Sequence, residues 1–189
     1  MHDAGSMTPQ HPPRTDHWPQ ALRSAAMRSG TLVRCGPGLR PVSWPEIPGT
    51  RCAAIAEHFS ERLAAAEDTA AWIWGARRSP GEPLAFVTIG GRLPLGAAGS
   101  ARRVREYRLE ASDLVQIGAY SVTSRLRTAY DLLRSPAPFT AEQRAACRLL
   151  LVRTSDGKEL LAERAMRTNR AEGSRVLRRL TSCYGSQES

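Results

Sequence analysis

The chain has 189 residues, of which 41% are hydrophobic and 24% are charged, and its formal net charge is +9. This length predicts one full-sized domain, or a small domain and a fragment, with enough apolar residues for a core. No apolar run reaches the roughly 18 residues that a membrane-spanning helix needs, and residues 1–17 contain no apolar segment typical of a signal peptide. We therefore expect a cytoplasmic protein. The charge, carried by 26 arginines and Lys158, indicates an anionic partner without naming it.

The cysteines and histidines have no spacing typical of a metal site. No CxxC pair occurs, and three of the four histidines lie in residues 1–17, so a zinc site would need scattered single residues. In a reducing compartment we expect the isolated cysteines to be small buried hydrophobic residues rather than disulfides. We therefore predict no metal and no cofactor. The residues are Cys35, Cys52, Cys147, Cys183, His2, His11, His17 and His58.

The N-terminal segment predicts a leader, one helix and a hairpin. Residues 1–17 carry almost nothing apolar and are predicted to be disordered. Residues 18–29 place Ala and Leu side chains near one helical face, and Gly30 is typical of a helix end. Residues 32–35 and 39–44 predict two short strands joined by a Gly-Pro-Gly turn.

The next segment predicts two helices separated by acidic residues. Residues 51–66 are rich in Ala, so we expect them to be helical. Glu67 and Asp68 favour the positive end of a helix dipole, and they begin an apolar helix that ends at Gly75. Residues 77–83 predict a loop.

Residues 84–122 predict the strands of a sheet. Residues 84–90 are rich in β-favouring side chains, and a Gly-rich loop over 90–100 separates them from residues 101–110. Residues 101–110 alternate in a way that indicates a strand with one solvated face, near a sheet edge. Residues 114–117 and 120–122 predict a further strand pair.

A helix with a single apolar stripe is expected directly after these strands. Thr123 and Ser124 can cap it, and Pro136 ends it. The stripe has the i, i+3, i+4, i+7 spacing of one helical face. Its residues are Leu126, Ala129, Tyr130 and Leu133.

The C-terminal third predicts further helices. Thr140 is a typical N-cap, and breaks are expected at Asp156-Gly157 and at Gly173. One face of the last helix is basic, with Arg175, Arg178 and Arg179. This face either binds nucleic acid or an acidic protein, or it is the solvated side of an amphipathic helix.

Together these elements predict an α/β (α+β) fold. We expect a small mixed sheet packed by helices and a helical C-terminal third. A short helix and a wing-like hairpin precede them.

Three stretches resemble the AbiEi-type antitoxin family of type IV toxin–antitoxin systems, common in actinobacteria. GTLVRCGPGLRPVSW resembles the family's Gly-x-Leu-x-Arg hairpin, and EDTAAWIWGAR resembles its buried Ala-Ala-Trp helix. YSVTSRLRTAYDLLR resembles its most specific motif, a Val-Thr-Ser strand end followed by Arg-Thr-x-x-Asp on a helix. The residues of that motif are Val122, Thr123, Ser124, Arg127, Thr128 and Asp131.

The resemblance implies an N-terminal winged helix-turn-helix and a larger C-terminal α/β domain. It also implies a regulator that binds operator DNA and counteracts a nucleotidyltransferase-type toxin. Only one helix and the hairpin fit before Trp44, so we expect the winged module to be truncated. The expected divisions are a leader (1–17), a partial winged-helix remnant (18–48), an AbiEi-like C-terminal domain (49–184) and a tail (185–189).

The best candidates for nucleic-acid contacts are the arginines of the helix and hairpin. Wing hairpins present Arg to phosphates or the minor groove, and phosphate contacts supply most non-specific affinity. The alternative is a solvated basic surface. The candidates are Arg23, Arg28, Arg34 and Arg40.

Arg127 and Asp131 lie four residues apart on one predicted helix. They suit a surface ion pair worth a few tenths of a kcal/mol. The motif resemblance implies instead a structural role, with Thr123 and Thr128, in which they tie the strand end to the start of the helix. A catalytic role would need a nucleophile or second carboxylate that the sequence does not indicate.

No enzyme motif emerges from the chain, which is predicted not to be an enzyme. The glycines between Gly90 and Gly99 fit neither GxGxxG nor a P-loop, and no GxSxG or HExxH occurs. The leading hypothesis is an AbiEi-like antitoxin and transcriptional regulator, with operator DNA and a nucleotidyltransferase toxin as its partners. The alternative is a protein-interaction module that has kept only the C-terminal domain.

Overall fold

The computed structural model describes residues 12–90 and 101–184. In these ranges the chain is a mixed α/β protein with seven α-helices, a five-stranded sheet and a two-stranded hairpin. The predicted fold class is confirmed. The chain divides into two compact units, a first unit up to Glu57 and a second unit from His58.

The first unit follows the predicted order of helix, glycine and hairpin. Its elements are α1 (Gln20–Arg28), β1 (Leu32–Cys35), β2 (Gly38–Pro41) and α2 (Pro48–Ala54). Gly30 ends α1 with a φ of +73°, a conformation that favours glycine. The unit includes α2, so the sequence-based division at residue 48 lies before its last helix.

The hairpin packs closely on α2 through a glycine. Gly38 pairs with Cys35 across the hairpin, and a Cβ at Gly38 would overlap the carbonyl oxygen of Ala54. Thr15 is buried, and its hydroxyl donates to the Leu39 carbonyl at 3.4 Å. This residue of the predicted leader therefore belongs to the folded unit, whereas residues 1–11 lie outside the described part.

The second unit begins with a strand where a helix was expected. The helix predicted over 51–66 is confirmed at 51–54, within α2, but residues 63–65 form a strand, so the prediction was wrong there. The strand lies between two neighbouring strands of the sheet, and its three side chains are at most 1% exposed. Pairing on both edges outweighs the helix propensity of Ala.

The sheet has the strand order β5-β4-β3-β7-β6 and is mixed. β3 runs antiparallel to β4 and parallel to β7. β5 is an edge strand, as its alternating pattern predicted, although it is shorter than expected. The strands are β3 (Leu63–Ala65), β4 (Leu84–Thr88), β5 (Arg102–Arg105), β6 (Leu114–Ile117) and β7 (Tyr120–Thr123).

Five helices complete the second unit and enclose its main core. They are α3 (Glu67–Ile73), α4 (Arg125–Arg134), α5 (Ala141–Leu151), α6 (Gly157–Met166) and α7 (Arg170–Tyr184). Leu133, Leu150 and Val176 lie at the centre of this core with no exposed surface. Ser124 caps α4 and Thr140 caps α5, as predicted.

One expected break is absent from the C-terminal helices. Gly173 lies within α7 instead of ending a helix, so the predicted break there was wrong. A Cβ at this position would overlap the carbonyl oxygen of Ala165 in α6. Close packing of the two helices therefore explains the glycine. The predicted loop over 91–100 and the tail at 185–189 lie outside the described residues.

No helix in the described ranges is both long and apolar enough to cross a membrane.

Candidate functional site

The first unit carries arginines that no carboxylate of the described residues neutralises. Arg28 at the end of α1 and Arg34 on β1 are exposed, and Arg23 on α1 is half-buried. None of the three forms an ion pair with a carboxylate in the described part of the chain. Their charges are therefore available to an anionic partner.

Arg40, the fourth predicted contact, has a different environment. Its Nη1 donates to the Trp44 carbonyl at 2.6 Å and to the Pro41 carbonyl at 3.3 Å. Arg40 pairs with Val33 across the hairpin and Arg34 pairs with Leu39, so the two arginines lie on opposite faces. The four predicted residues therefore do not form one surface, and Arg40 holds the chain after β2.

The Val-Thr-Ser and Arg-Thr-x-x-Asp motif joins the end of β7 to the start of α4. The hydroxyl groups of Thr123 and Thr128 lie 2.8 Å apart, and Thr128 Oγ1 also contacts the Ser124 carbonyl at 2.8 Å. Trp74 Nε1 donates to the Thr123 carbonyl at 2.8 Å. The motif therefore makes contacts that fix local structure.

Arg127 and Asp131 belong to a buried network and not to the surface. Arg127 Nε donates to both carboxylate oxygens of Asp131 at 3.0 Å. The same guanidinium donates through Nη1 to Asp113 Oδ2 at 2.8 Å. Arg127 and Asp113 side chains are each 3% exposed, and Asp131 is 1% exposed. The surface ion pair worth a few tenths of a kcal/mol is therefore not what Arg127 and Asp131 form, because both side chains are buried.

Asp113 connects three elements of the second unit. It is the last residue of the short 3₁₀ turn Ala111–Asp113 and accepts from Arg127 on α4. Arg164 on α6 donates to both oxygens of Asp113, at 2.6 and 2.9 Å. Sequence reasoning missed Asp113 and Arg164, because their partners are 14 and 51 residues away. The only local signal was the acidic spacing Glu110-x-x-Asp113, which forms a capping box.

The two buried aspartates have opposite pKa shifts. Complete burial raises the pKa of Asp131, although Arg127 and Arg134 oppose this. Burial also acts to raise the pKa of Asp113, but hydrogen bonds from Arg164 and the Glu110 backbone lower it below the ordinary value. Asp113 is therefore the carboxylate whose ionised form the fold stabilises.

A second charge cluster lies at the start of α3. Glu67 accepts from Arg103 Nη2 at 2.6 Å, from Arg105 Nε at 3.0 Å and from the Tyr107 hydroxyl at 3.2 Å. The Arg134 guanidinium lies 3.7 Å from the centre of the Tyr107 ring, which is a cation–π contact. Sequence reasoning assigned Glu67 to the helix dipole and missed these partners, which come from the edge strand and the residues that follow it.

Most of the basic face predicted on α7 donates hydrogen bonds to backbone carbonyls. Arg175 donates to the Arg134 carbonyl at 3.0 Å, and Arg179 donates to the Leu133 and Ser135 carbonyls at 3.0 and 2.6 Å. Cations at the C-terminal end of a helix satisfy its last carbonyls and its dipole. Arg178 is exposed. Two of the three arginines therefore hold the end of α4.

Burial makes at least two of the thiols poor nucleophiles at neutral pH, because it raises their pKa. All four cysteines are buried and free. Burial raises the pKa of Cys35 to about 11 and that of Cys52 to about 12. In the described ranges, no group of three or more His, Cys, Asp or Glu side chains is placed to hold a metal ion.

No protein-family model matches the sequence, and no curated protein or solved structure is significantly similar to the chain. A function is therefore inferred from the residues, their contacts and the motif resemblance described above.

Proposed function

We propose that the protein is an AbiEi-like antitoxin and transcriptional regulator whose first unit contacts operator DNA. The observation that carries this proposal is the set of arginines on α1 and β1 with no carboxylate partner among the described residues. Phosphate contacts from such arginines supply affinity and orient a protein on a duplex. Arg28 and Arg34 are the main contacts, and Arg23 is a secondary one.

The expected binding is electrostatic with modest sequence selectivity. Direct readout of bases usually requires a recognition helix or ribbon in the major groove. In the described part of the chain α1 is the only helix before the hairpin. We therefore expect a strong dependence of affinity on salt concentration.

The experiment is a salt series of gel shifts with the full chain and the DNA upstream of its own gene. Replacing both Arg28 and Arg34 with Ala should reduce the slope of log affinity against log salt by about 1 for each phosphate interaction that the substitutions remove. A matched control is Arg178→Ala combined with Arg170→Ala, since both are exposed arginines of α7. This control removes the same net charge and should change the slope little.

Two outcomes would contradict the DNA-binding part. In the first, the upstream DNA binds no more tightly than random DNA at the same salt concentration, which removes operator binding. In the second, the two double variants lower the slope equally, which shows that net charge and not the α1–β1 arginines governs affinity.

The antitoxin part is tested by co-expression with a nucleotidyltransferase-type toxin encoded beside the gene. We assign toxin neutralisation to the second unit, which carries the Arg-Thr-x-x-Asp motif. Growth should therefore be restored by the wild type and by the variant lacking Arg28 and Arg34. No rescue by the wild type would overturn this part.

A protein-interaction module without DNA binding is the second candidate. Large apolar side chains are exposed on α5, on α6 and at their ends, and Leu149 and Val152 lie three residues apart, as neighbours on one helix face. They are Leu149 (53% exposed), Val152 (79%), Leu160 (43%) and Met166 (71%). Replacing Leu149 and Val152 with Ser should abolish growth rescue if this surface is used, whereas unchanged rescue would exclude it.

A further inference from the structure

A small polar cavity of about 180 Å³ lies in the second unit and includes none of the arginines assigned to DNA. Three guanidinium groups and three carboxylates line it, together with the Tyr107 ring. These residues come from the start of α3, the edge strand, the end of α4 and α7. The charged residues are Arg105, Arg134, Arg175, Glu67, Asp131 and Glu172.

The carboxylates of the cavity already have donors. Glu67 accepts three hydrogen bonds or ion-pair contacts from the edge-strand side. Asp131 accepts from Arg127 Nε at 3.0 Å and from Arg134 Nε at 2.8 Å. Glu172 accepts from the Tyr130 hydroxyl at 2.9 Å. Their charges are therefore used to position other side chains and not to receive a ligand.

The guanidinium groups have donors to spare. Arg134 Nη2 is buried and has no hydrogen-bond acceptor among the described residues. Arg105 contacts Glu67 through Nε, and Arg175 donates through Nη1 to the Arg134 carbonyl. Because each guanidinium carries five N–H groups, further donors remain on all three arginines. A buried donor without a protein acceptor has hydrogen-bonding capacity that a ligand oxygen in the cavity can satisfy.

The lining arginines and carboxylates are equal in number, three of each, so the lining has no net charge. Arg103, which lies outside the lining, also binds Glu67 and so offsets part of the charge of that carboxylate. Arginine is well suited to binding phosphate oxygens through two parallel N–H groups.

We propose that this cavity binds a phosphate group held by Arg105, Arg134 and Arg175. Its volume of about 180 Å³ is below the range of roughly 300–1,000 Å³ typical of pockets for whole organic ligands. The ligand is therefore inorganic phosphate or the phosphate end of a larger molecule such as a nucleotide. This site uses none of the residues on which DNA binding depends.

The test is calorimetric titration of the full chain at constant ionic strength in a chloride buffer. Inorganic phosphate, a nucleoside monophosphate and the matching nucleoside are titrated separately. If inorganic phosphate binds saturably and the nucleoside monophosphate binds no more tightly, the ligand is the free phosphate ion. Tighter binding of the monophosphate than of phosphate, with no binding of the nucleoside, identifies the phosphate end of a nucleotide.

Substitutions then locate the binding. Arg105→Gln and Arg175→Gln should each weaken phosphate binding by about tenfold or more, because each removes a charge-assisted contact. Arg105→Lys should recover part of the loss. The matched control is Arg178→Gln, an exposed arginine on the same helix as Arg175, which should bind as the wild type does.

The outcomes that would overturn the proposal are equally direct. One is the absence of saturable heat with both phosphate-bearing probes. The other is an equal loss of affinity in Arg178→Gln and in Arg105→Gln. Arg105 is 44% exposed on an edge strand, so its variants should stay folded, and circular dichroism of each variant checks this. Because the arginines of α1 and β1 are unchanged in these variants, gel shifts report on DNA binding independently.

Discussion

Arginines of the two units differ in their partners, although Arg14 and Arg51 of the first unit also form ion pairs with carboxylates. In the first unit, Arg28 and Arg34 are exposed and form no ion pair with a described carboxylate. In the second unit, many arginines contact carboxylates, backbone carbonyls or aromatic rings. Those with ion pairs include Arg77, Arg103, Arg105, Arg127, Arg134 and Arg164.

This difference shows that a formal net charge of +9 does not describe one property. A guanidinium that pairs with a buried carboxylate neutralises that charge in the interior, so its loss destabilises the fold, whereas an exposed guanidinium without a partner contributes little to stability and much to association. Arginines with buried carboxylate partners, such as Arg127 and Arg164, should therefore matter for unfolding, and exposed arginines without one, such as Arg28 and Arg34, for binding. The following predictions test this division.

The largest effect is expected from Asp113→Asn. The substitution removes the negative charge that Arg127 and Arg164 share in the interior. Breaking a buried pair by removing one partner costs about 3–5 kcal/mol, so the free energy of unfolding should fall by about that amount in urea titrations. The control is Glu163→Gln, whose partner Arg167 is 75% exposed. Similar losses in the two variants would refute the division between buried and exposed pairs.

The next effect concerns packing in the first unit. Gly38→Ala places a methyl group against the backbone of Ala54, and overpacking of this kind costs about 1–3 kcal/mol. Hydrogen exchange should show faster exchange of the β1 and β2 amides, and DNA affinity should fall with it. Ser43→Ala, at an exposed position after β2, is the control. Unchanged protection in Gly38→Ala would show that α2 moves to accommodate the methyl group.

An intermediate effect is expected from pH. Since the pKa of Asp113 lies below its ordinary value of 3.8, its stabilising contribution is fully present above that value and is lost as pH falls through the folded-state pKa. Each unit of pKa difference corresponds to about 1.4 kcal/mol. Urea midpoints measured from neutral to acidic pH should therefore fall more steeply for the wild type than for Asp113→Asn. Parallel curves would exclude Asp113 as a source of acid sensitivity.

The predictable parts of this fold are those whose signals are local. The apolar stripe from Leu126 to Leu133 and the Thr140 cap predicted α4 and α5, because spacing and capping act within one or two turns. β3 was missed because Ala64 and Ala65 favour a helix in isolation. The strand forms because β4 and β7 pair with it from distant parts of the chain.

The candidate sites were predictable to different extents for the same reason. The four arginines of the helix and hairpin were predicted alike as candidates, because the sequence does not show that Arg40 donates to backbone carbonyls. The buried role of Arg127 depends on Asp113, and the cavity depends on Glu67, Arg134 and Arg175 coming together from separate elements. Neither juxtaposition has a sequence pattern of its own. The sequence therefore indicated candidate arginines, but it did not show which of them have carboxylate or carbonyl partners in the fold.

The smallest effects separate the two arginines of the hairpin. Arg34→Ala should change the free energy of unfolding by less than about 0.5 kcal/mol, because the side chain is exposed and makes no ion pair with a described carboxylate. Arg40→Ala should cost about 1 kcal/mol, because it removes the donor to the Trp44 and Pro41 carbonyls. DNA affinity should show the reverse order, with the larger loss in Arg34→Ala. If Arg40→Ala weakens DNA binding more than Arg34→Ala at equal folded fraction, the binding face of the hairpin is the one that carries Arg40, and the assignment of contacts on β1 fails.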